Sequence, residues 1–218
     1  MERVRPHDLL HLADGAGMRY EEPVPAWVPA SLARAPWVVV RRAPTIAGLV
    51  PVGVRGRTRP ERLAAFLAPT AIAARVTPED LAAAQGWRHA FRARNACWLG
   101  ALRVLDAIDE LFTFLGLAWG PTGSVGFELA TGVAAAGPAS DLDVIVRASE
   151  PWSLARAREL VDDLARLPVR VDTQLDTPTG AVALAEYARG GRVLLRTPDG
   201  PKLVDDPWRR AATDTLTA

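Results

Sequence analysis

Cysteine is almost absent from this chain of 218 residues, which contains only Cys97. A single cysteine cannot form an internal disulfide, and we therefore expect a protein of a reducing compartment, the cytoplasm. Histidine is also scarce, and His7, His11 and His89 do not have the spacing of zinc ligands. The sequence thus argues against a disulfide-stabilised secreted domain and gives no indication of a zinc site.

Long apolar runs are missing as well. The longest uncharged stretch, from residue 111 to residue 127, is interrupted by glycine and proline and is too short to span a bilayer. The N-terminus carries charges but no apolar segment typical of a signal peptide. We therefore expect no membrane partner.

The chain also lacks an excess of charge of either sign, because 26 basic and 25 acidic residues leave a net charge of +1. Such a protein has no overall field to attract nucleic acid, and we expect no nucleic-acid partner. The distribution is uneven, since residues 34–62 contain seven arginines and one acid, whereas residues 137–218 contain 13 acids and 11 bases. This division favours a phosphorylated substrate that is bound together with a divalent metal ion.

Hydrophobic spacing predicts strands that alternate with helices, which is typical of an α/β or α+β fold. Valine-rich runs at residues 37–42 and 49–55 predict a pair of strands, and Pro60 is expected to start a short helix. Thr77 is expected to cap a further helix, with Asp80 completing a capping box. The first third of the chain therefore predicts a small β-containing unit.

The rest of the chain has a longer-range pattern. Apolar residues at spacings of three and four from Trp98 to Leu115 predict a long amphipathic helix that Gly116 ends. The segment Val125–Thr131 fits a helix or a strand, because periodicity does not distinguish them over so few residues. Beyond it we expect strands at 141–147, 169–175 and 192–197 and helices at 153–167 and 181–189.

Two aspartates, Asp141 and Asp143, alternate with Leu142 and Val144 in the strand predicted at 141–147. Residues i and i+2 of a strand point to the same face, so the two aspartates share one face with α-carbons roughly 7 Å apart. Leu142 and Val144 then enter the core. Like charges held so close are tolerated when a cation lies between them. We therefore predict that Asp141 and Asp143 are catalytic and bind Mg²⁺ or Mn²⁺, as in two-metal phosphoryl-transfer sites.

A third carboxylate is expected from a neighbouring strand. Asp172 shares one face of the strand predicted at 169–175 with Arg170, whereas Val169 and Val171 point inward. Asp176, beyond the predicted end of that strand, is the weaker alternative. We predict Asp172 as the third catalytic and metal-binding residue.

Candidate residues for the phosphates lie on either side of the predicted domain boundary. The turn Gly123-Ser124, which 16 residues separate from Asp141, allows backbone N–H groups and the serine hydroxyl to approach a phosphate closely. The arginine-rich segment supplies Arg41, Arg55 and Arg57, whose planar guanidinium groups suit phosphate oxygens. We predict these five residues as substrate-binding, with a solvated loop as the alternative for the arginines.

The order Gly123-Ser124 followed by Asp141-Leu-Asp-Val resembles the signature of the polymerase-β-like nucleotidyltransferase superfamily. Longer segments are similar to the malonate decarboxylase holo-acyl-carrier-protein synthases, a family of phosphoribosyl-dephospho-CoA transferases. These segments are PHDLL from Pro6, WVVVRRA from Trp37, LVPVGVRG from Leu49, WGPTGSVGFELATG from Trp119, SDLD from Ser140 and DPW from Asp206. The resemblance extends almost from end to end of the chain.

The resemblance implies a fold, which is a nucleotidyltransferase-like mixed sheet flanked by helices, with a smaller N-terminal β-containing domain. The change in sequence character near residues 76–88 indicates a domain boundary there, and we assign an arginine-rich substrate or partner domain to residues 1–80 and a catalytic domain to residues 81–218. The resemblance also identifies Asp141 and Asp143 as the family's catalytic pair.

The resemblance further implies a reaction. The family transfers the prosthetic group of triphosphoribosyl-dephospho-CoA to a serine of the acyl carrier protein subunit of malonate decarboxylase and releases diphosphate. Two alternatives stay open. One is a nucleotidyltransferase of the same superfamily with another acceptor, and the other is a non-catalytic nucleotide-binding module.

Overall fold

The computed structural model describes residues 4–13, 17–58, 60–89 and 100–209. Predictions that concern Arg59, Cys97 and Trp98 lie outside these ranges. Among the helices in the described ranges, none combines the length and the apolar character that a membrane crossing requires.

The first part of the chain forms an antiparallel sheet. The strands are β1 Leu9–Leu12, β2 Met18–Tyr20, β3 Trp37–Val40, β4 Val50–Arg55, β5 Arg62–Leu67 and β6 Ile72–Val76. Within the described ranges they have the order β2-β5-β4-β3-β1-β6 and pair antiparallel throughout. Helix α1, Trp27–Arg34, packs against this sheet, and a short 3₁₀ turn, Pro69–Ala71, precedes β6.

The helix predicted after Pro60 is wrong, because residues 62–67 form strand β5. The apolar residues there fit helical spacing, but Leu63, Ala65 and Leu67 also alternate, and all three are buried. Every residue of β5 pairs with a residue of β4, from Arg55 opposite Arg62 onward. Cross-strand pairing on a buried face therefore outweighs the local helical pattern.

Helices follow the first sheet. Helix α2, Pro78–Ala84, begins with the predicted capping box, in which the Thr77 hydroxyl accepts from the Asp80 N–H and the Asp80 carboxylate accepts from the Thr77 N–H. The long helix predicted up to Gly116 is present in the described residues as two shorter helices, α3 Gly100–Arg103 and α4 Leu105–Phe114. Gly116 has φ +64°, a left-handed conformation that favours glycine after a helix end.

The second sheet is mixed, as expected from the sequence. Its elements are β7 Trp119–Pro121, α5 Gly123–Thr131, β8 Leu142–Arg147, α6 Leu154–Ala165, β9 Val171–Thr177, β10 Gly180–Ala183, α7 Leu184–Arg189, β11 Val193–Thr197 and β12 Gly200–Val204. The strand order among the described residues is β12-β11-β10-β9-β8-β7; β8 and β9 are parallel and the other pairs antiparallel. Helix α6 provides the crossover between the parallel strands.

The helix predicted at 181–189 is correct only in its second part, because residues 180–183 pair with β9 as strand β10. The ambiguous segment Val125–Thr131 is helical. Gly132 ends that helix with φ +69°, and Val125 and Phe127 are buried beneath it.

The two sheets are joined by an ion network as well as by apolar contacts. Arg147 on β8 contacts Asp176 on β9 at 2.8 Å and Glu79 on α2 at 2.7 Å. From the first part of the chain, Arg42 reaches Asp176 at 2.6 Å and Arg5 reaches Glu79 at 3.1 Å.

All strands of the first sheet precede α2 and all strands of the second follow it. The fold is therefore α+β, with a cleft between two sheets.

Candidate active site

The predicted aspartates lie at one end of the parallel strands. Asp143 on β8 stands directly opposite Asp172 on β9 in the register of the sheet. Neighbouring strands are about 4.8 Å apart, so the two side chains share one face as near neighbours. Asp141 precedes β8 by one residue, and Leu142 and Val144 are buried, as predicted. The three aspartates line one cavity of about 520 Å³.

The turn Gly123-Ser124 begins helix α5 directly beside Asp143. The N–H of Thr122 donates to the backbone carbonyl of Asp143 at 2.8 Å, which ties the start of the helix to β8. Gly123 has φ +60°, and a β-carbon added there would overlap the Asp143 carboxylate. Only glycine therefore permits this close approach. The first N–H groups of a helix have no acceptor within the helix, so this end favours an anion.

A buried glutamate shapes the loop that covers the cavity. Glu128 on α5 is 4% exposed, and its Oε2 accepts from the N–H groups of Ala135 and Ala136, each at 2.9 Å. Further along the loop, the Ser140 hydroxyl accepts from the Gly137 N–H at 2.9 Å. Residues 135 and 137–141 line the cavity. The long segment between Ser124 and Asp141 is thus a fixed wall of the site.

Arginines from the first sheet form the opposite wall. Arg55 and Arg57 line the same cavity as the three aspartates. Burial, together with the nearby Arg62 guanidinium, lowers the pKa of Arg55 to about 10, and the Asp143 carboxylate opposes that shift. Arg55 also donates to the carbonyl of Ala135 at 3.4 Å. The guanidinium groups and the carboxylates thus face each other across the cleft.

Arg41 lies in an adjoining cavity of about 550 Å³. This cavity is also lined by Arg55, Gly123 and Asp143, so it opens into the carboxylate cavity. The structure thus brings every sequence-predicted site residue into one continuous cleft. Their roles in binding and catalysis stay predictions.

The acidic cluster suits a hard divalent cation, since oxygen atoms are its preferred ligands. Within the part of the chain that the structure describes, no three His, Cys, Asp or Glu side chains converge in metal-binding geometry. The Asp172 carboxylate contacts the Arg170 guanidinium at 2.9 Å. The residues present therefore fit a cation held by one or two carboxylates, with phosphate oxygens as further ligands, as is usual for Mg²⁺.

Several residues that line the cleft were not predicted as site residues. Arg62 stands opposite Arg55 in the β4–β5 pairing and lines both cavities. His7 and Gln174 line the adjoining cavity. Reading residues 50–67 as a hairpin would have identified Arg62 from the sequence, because paired residues share a face.

Comparison with protein-family models gives two matches that together cover nearly the whole chain. The model described as the phosphoribosyl-dephospho-CoA transferase MdcG N-terminal domain matches residues 5–78. The model described as the phosphoribosyl-dephospho-CoA transferase MdcG C-terminal domain matches residues 83–207. The first match covers the antiparallel sheet and the second covers the mixed sheet.

Full-length relatives agree with these matches. A phosphoribosyl-dephospho-CoA transferase of Pseudomonas putida is 44% identical over 209 residues, which is 95% of this chain and 97% of that protein. Proteins of the same name from Azotobacter vinelandii and Pseudomonas aeruginosa are 45% and 44% identical to this chain. The first alignment covers 95% of this chain and 96% of that relative, and the second covers 96% of both. No solved structure matches the chain significantly. The protein is therefore a transferase and belongs to the phosphoribosyl-dephospho-CoA transferase family.

Proposed function

We propose that this protein transfers the phosphoribosyl-dephospho-CoA group from its triphosphate precursor to a serine of the malonate decarboxylase acyl carrier protein, with release of diphosphate. One observation carries the proposal: aspartates of the second sheet and arginines of the first line one cavity beside the start of a helix. A triphosphate needs both kinds of group, cations for its outer charge and carboxylates for a metal ion. The names of the relatives supply the transferred group.

The reaction forms one phosphodiester bond. The serine oxygen bonds to the phosphorus nearest the ribose, and the bond from that phosphorus to the diphosphate breaks. The proton of the serine hydroxyl passes to a carboxylate of the acidic cluster. Arg55, Arg57 and Arg62 bind the outer phosphates of the donor.

Asp141 and Asp143 would hold the divalent cation, Mg²⁺ or Mn²⁺. When bound, the cation neutralises negative charge on the transferred and leaving phosphates. Asp172 would join it once its carboxylate leaves Arg170. The first N–H groups of α5, at Gly123 and Ser124, position the phosphate in line with the acceptor oxygen.

The test is a mass-shift assay on the apo carrier protein of malonate decarboxylase. The full-length protein is incubated with Mg²⁺ and either triphosphoribosyl-dephospho-CoA or ATP. We expect a mass increase equal to the phosphoribosyl-dephospho-CoA group with the first donor and slow or no labelling with ATP, because binding of the coenzyme arm positions the reacting phosphate.

Two controls make the assay decisive. A carrier protein with its acceptor serine replaced by alanine should remain unlabelled. Equal labelling by ATP, or labelling of the serine-free carrier, would reject this function in favour of a nucleotidyltransferase with a different donor or acceptor. No labelling with either donor, while both are bound, would indicate a non-catalytic nucleotide-binding module.

A further inference from the structure

A second cationic cavity lies between the two sheets, beyond the carboxylate cluster. It has a volume of about 630 Å³, and we call it the distal cavity; its polar lining includes His7, Arg41, Arg42, Gln174 and Arg196. His7, Arg41 and Gln174 also line the cavity that contains Asp143. One cleft therefore continues from the aspartates, past Gln174, to Arg196.

Strand β9 runs along this cleft and gives the distance between its two cavities. Asp172 lines the carboxylate cavity, and Gln174, on the same face of the strand, lines the distal cavity. Two residues along a strand span roughly 7 Å. The distal cavity thus begins within the reach of a ligand that has a triphosphate at one end and further groups attached to it.

Positive charge in the distal cavity is only partly compensated. Arg42 is paired with Asp176 at 2.6 Å. Among the residues that the structure describes, no carboxylate lies within ion-pair distance of Arg41 or Arg196. Two guanidinium groups without acidic partners are a suitable site for an anion with several oxygens.

The protonation state of His7 agrees with this charge distribution. Burial and then the Arg42 guanidinium lower its pKa to about 4, with Arg147 and Arg196 acting in the same direction and Asp176 opposing them. The imidazole is therefore neutral at neutral pH. Its positive surroundings disfavour another cation and favour an anion.

The distal cavity also has apolar lining residues. Val39 and Val40 line it from the first sheet, and Leu194 and Pro201 line it from the second. Leu194 is 42% exposed, which is high for a leucine on a strand. A ligand that combines an anionic group with apolar or aromatic parts fits such a lining.

We propose that the distal cavity binds the diphosphate of the dephospho-CoA portion of the donor, with Arg41 and Arg196 contacting its oxygens; this assignment rests on the proposed function. The donor has two separate anionic groups, the triphosphate on its second ribose and the diphosphate between adenosine and the pantetheine arm. The cleft likewise has two cationic regions, one at the carboxylate cavity and one at the distal cavity. The apolar lining residues then contact the adenosine or the arm.

The test measures the binding of two fragments by isothermal titration calorimetry to the full-length protein. Dephospho-CoA carries the diphosphate without the triphosphate, and tripolyphosphate with Mg²⁺ represents the other end. We expect Arg41→Ala and Arg196→Ala each to weaken dephospho-CoA binding by about two- to fivefold, because both guanidinium groups are exposed and exposed charge pairs contribute little. Their affinity for tripolyphosphate should be unchanged.

Two matched variants complete the experiment. Arg57→Ala should weaken tripolyphosphate binding and leave dephospho-CoA binding unchanged, because Arg57 lines only the carboxylate cavity. Arg189→Ala, an exposed arginine at the end of α7 that lines none of these cavities, should alter neither. Thermal unfolding of each variant shows whether it is folded.

Three outcomes would overturn the proposal. The first is that the wild type fails to bind dephospho-CoA. The second is that the Arg41→Ala and Arg196→Ala variants bind it as tightly as the wild type does. The third is that these variants lose affinity for the carrier protein instead. The last outcome would make the cavity a docking surface for an acidic protein. Failure of the transfer reaction in a wild type that still binds dephospho-CoA through Arg41 and Arg196 would reject the proposed function alone.

Discussion

Gly123 and Asp143 are in such close contact that the aspartate carboxylate occupies the space of a β-carbon on the glycine. The first residue of α5 and a predicted catalytic residue of β8 therefore fix each other's position. The left-handed conformation of Gly123, with φ +60°, is a second reason for glycine at this position.

Gly123→Ala should reduce turnover strongly, whereas Gly132→Ala should not. Both glycines have a positive φ, so each alanine strains the backbone by about 1–2 kcal/mol. A β-carbon at Gly132 would meet no atom within 4 Å, but one at Gly123 would displace Asp143. Transfer rates and urea unfolding of both variants separate the two effects. Equal loss of activity in the two variants would show that strain alone is responsible.

Asp143→Asn and Asp141→Asn should leave the fold intact and remove nearly all activity. Each variant removes a negative charge from the predicted metal site. Stabilisation of transition-state charge by a metal contributes several kcal/mol, and each 1.36 kcal/mol changes the rate tenfold, so we expect a loss on the order of a thousandfold or more. The mass-shift assay and circular dichroism measure the two properties. Near-normal turnover in either variant would contradict the assignment.

Arg57→Ala should raise KM for the donor and change kcat little. Arg57 is exposed and lines the carboxylate cavity, so the expected change is about two- to fivefold, because an exposed ion pair contributes roughly 0.2–1 kcal/mol. The difference should be larger at low ionic strength than at high. Arg34→Ala, an exposed arginine at the end of α1 that lines none of the described cavities, is the control. A similar KM change in both variants would indicate a general effect of charge.

Glu128→Ala should destabilise the protein and raise KM. It leaves the N–H groups of Ala135 and Ala136 without their acceptor, and a buried donor without a partner costs roughly 1–3 kcal/mol. We expect a decrease of about 2–4 kcal/mol in the free energy of unfolding. The exposed Glu159→Ala on α6 should alter neither property. Donor binding that survives unchanged in Glu128→Ala would show that the loop does not need this support.

Stability should decrease as the pH falls, in part because of His7. Above the ordinary pKa of 6.5, neither the folded nor the unfolded state protonates this side chain. Between pH 6.5 and about pH 4, the unfolded state takes up a proton at His7 that the folded state does not. This difference lowers the free energy of unfolding by up to about 3 kcal/mol. His7→Asn should therefore lose less stability than the wild type between pH 7 and pH 5, as measured by urea unfolding. Asparagine tolerates the positive φ of 76° at this position. An identical pH dependence of the free energy of unfolding in the two proteins would contradict the lowered pKa of His7.

The elements that the sequence predicted correctly are those whose signals are local. The alternation of Asp143 with Leu142 and Val144 predicted both a strand and its two faces. The capping box at Thr77 depends on residues three apart, and it formed as expected. Asp172 was placed on the correct face by the same alternation. A neighbour two to four residues away is enough to determine each of these features.

Features that depend on distant pairing were not predicted. Strand β5 had a helical pattern and became a strand because β4 pairs along its whole length. Strand β10 was read as part of a helix, although it forms a hairpin with β9. The approach of Arg196 to the cleft depends on how the strands are arranged in three dimensions, which periodicity does not contain.

The two walls of the cleft come from sheets that are synthesised one after the other, because the first sheet ends at Val76 and the second begins at Trp119. A chain still on the ribosome presents Arg55 and Arg57 long before Asp172 has been made, so it holds the cationic wall without the complete acidic cluster. A product truncated before β9 therefore lacks a complete candidate site.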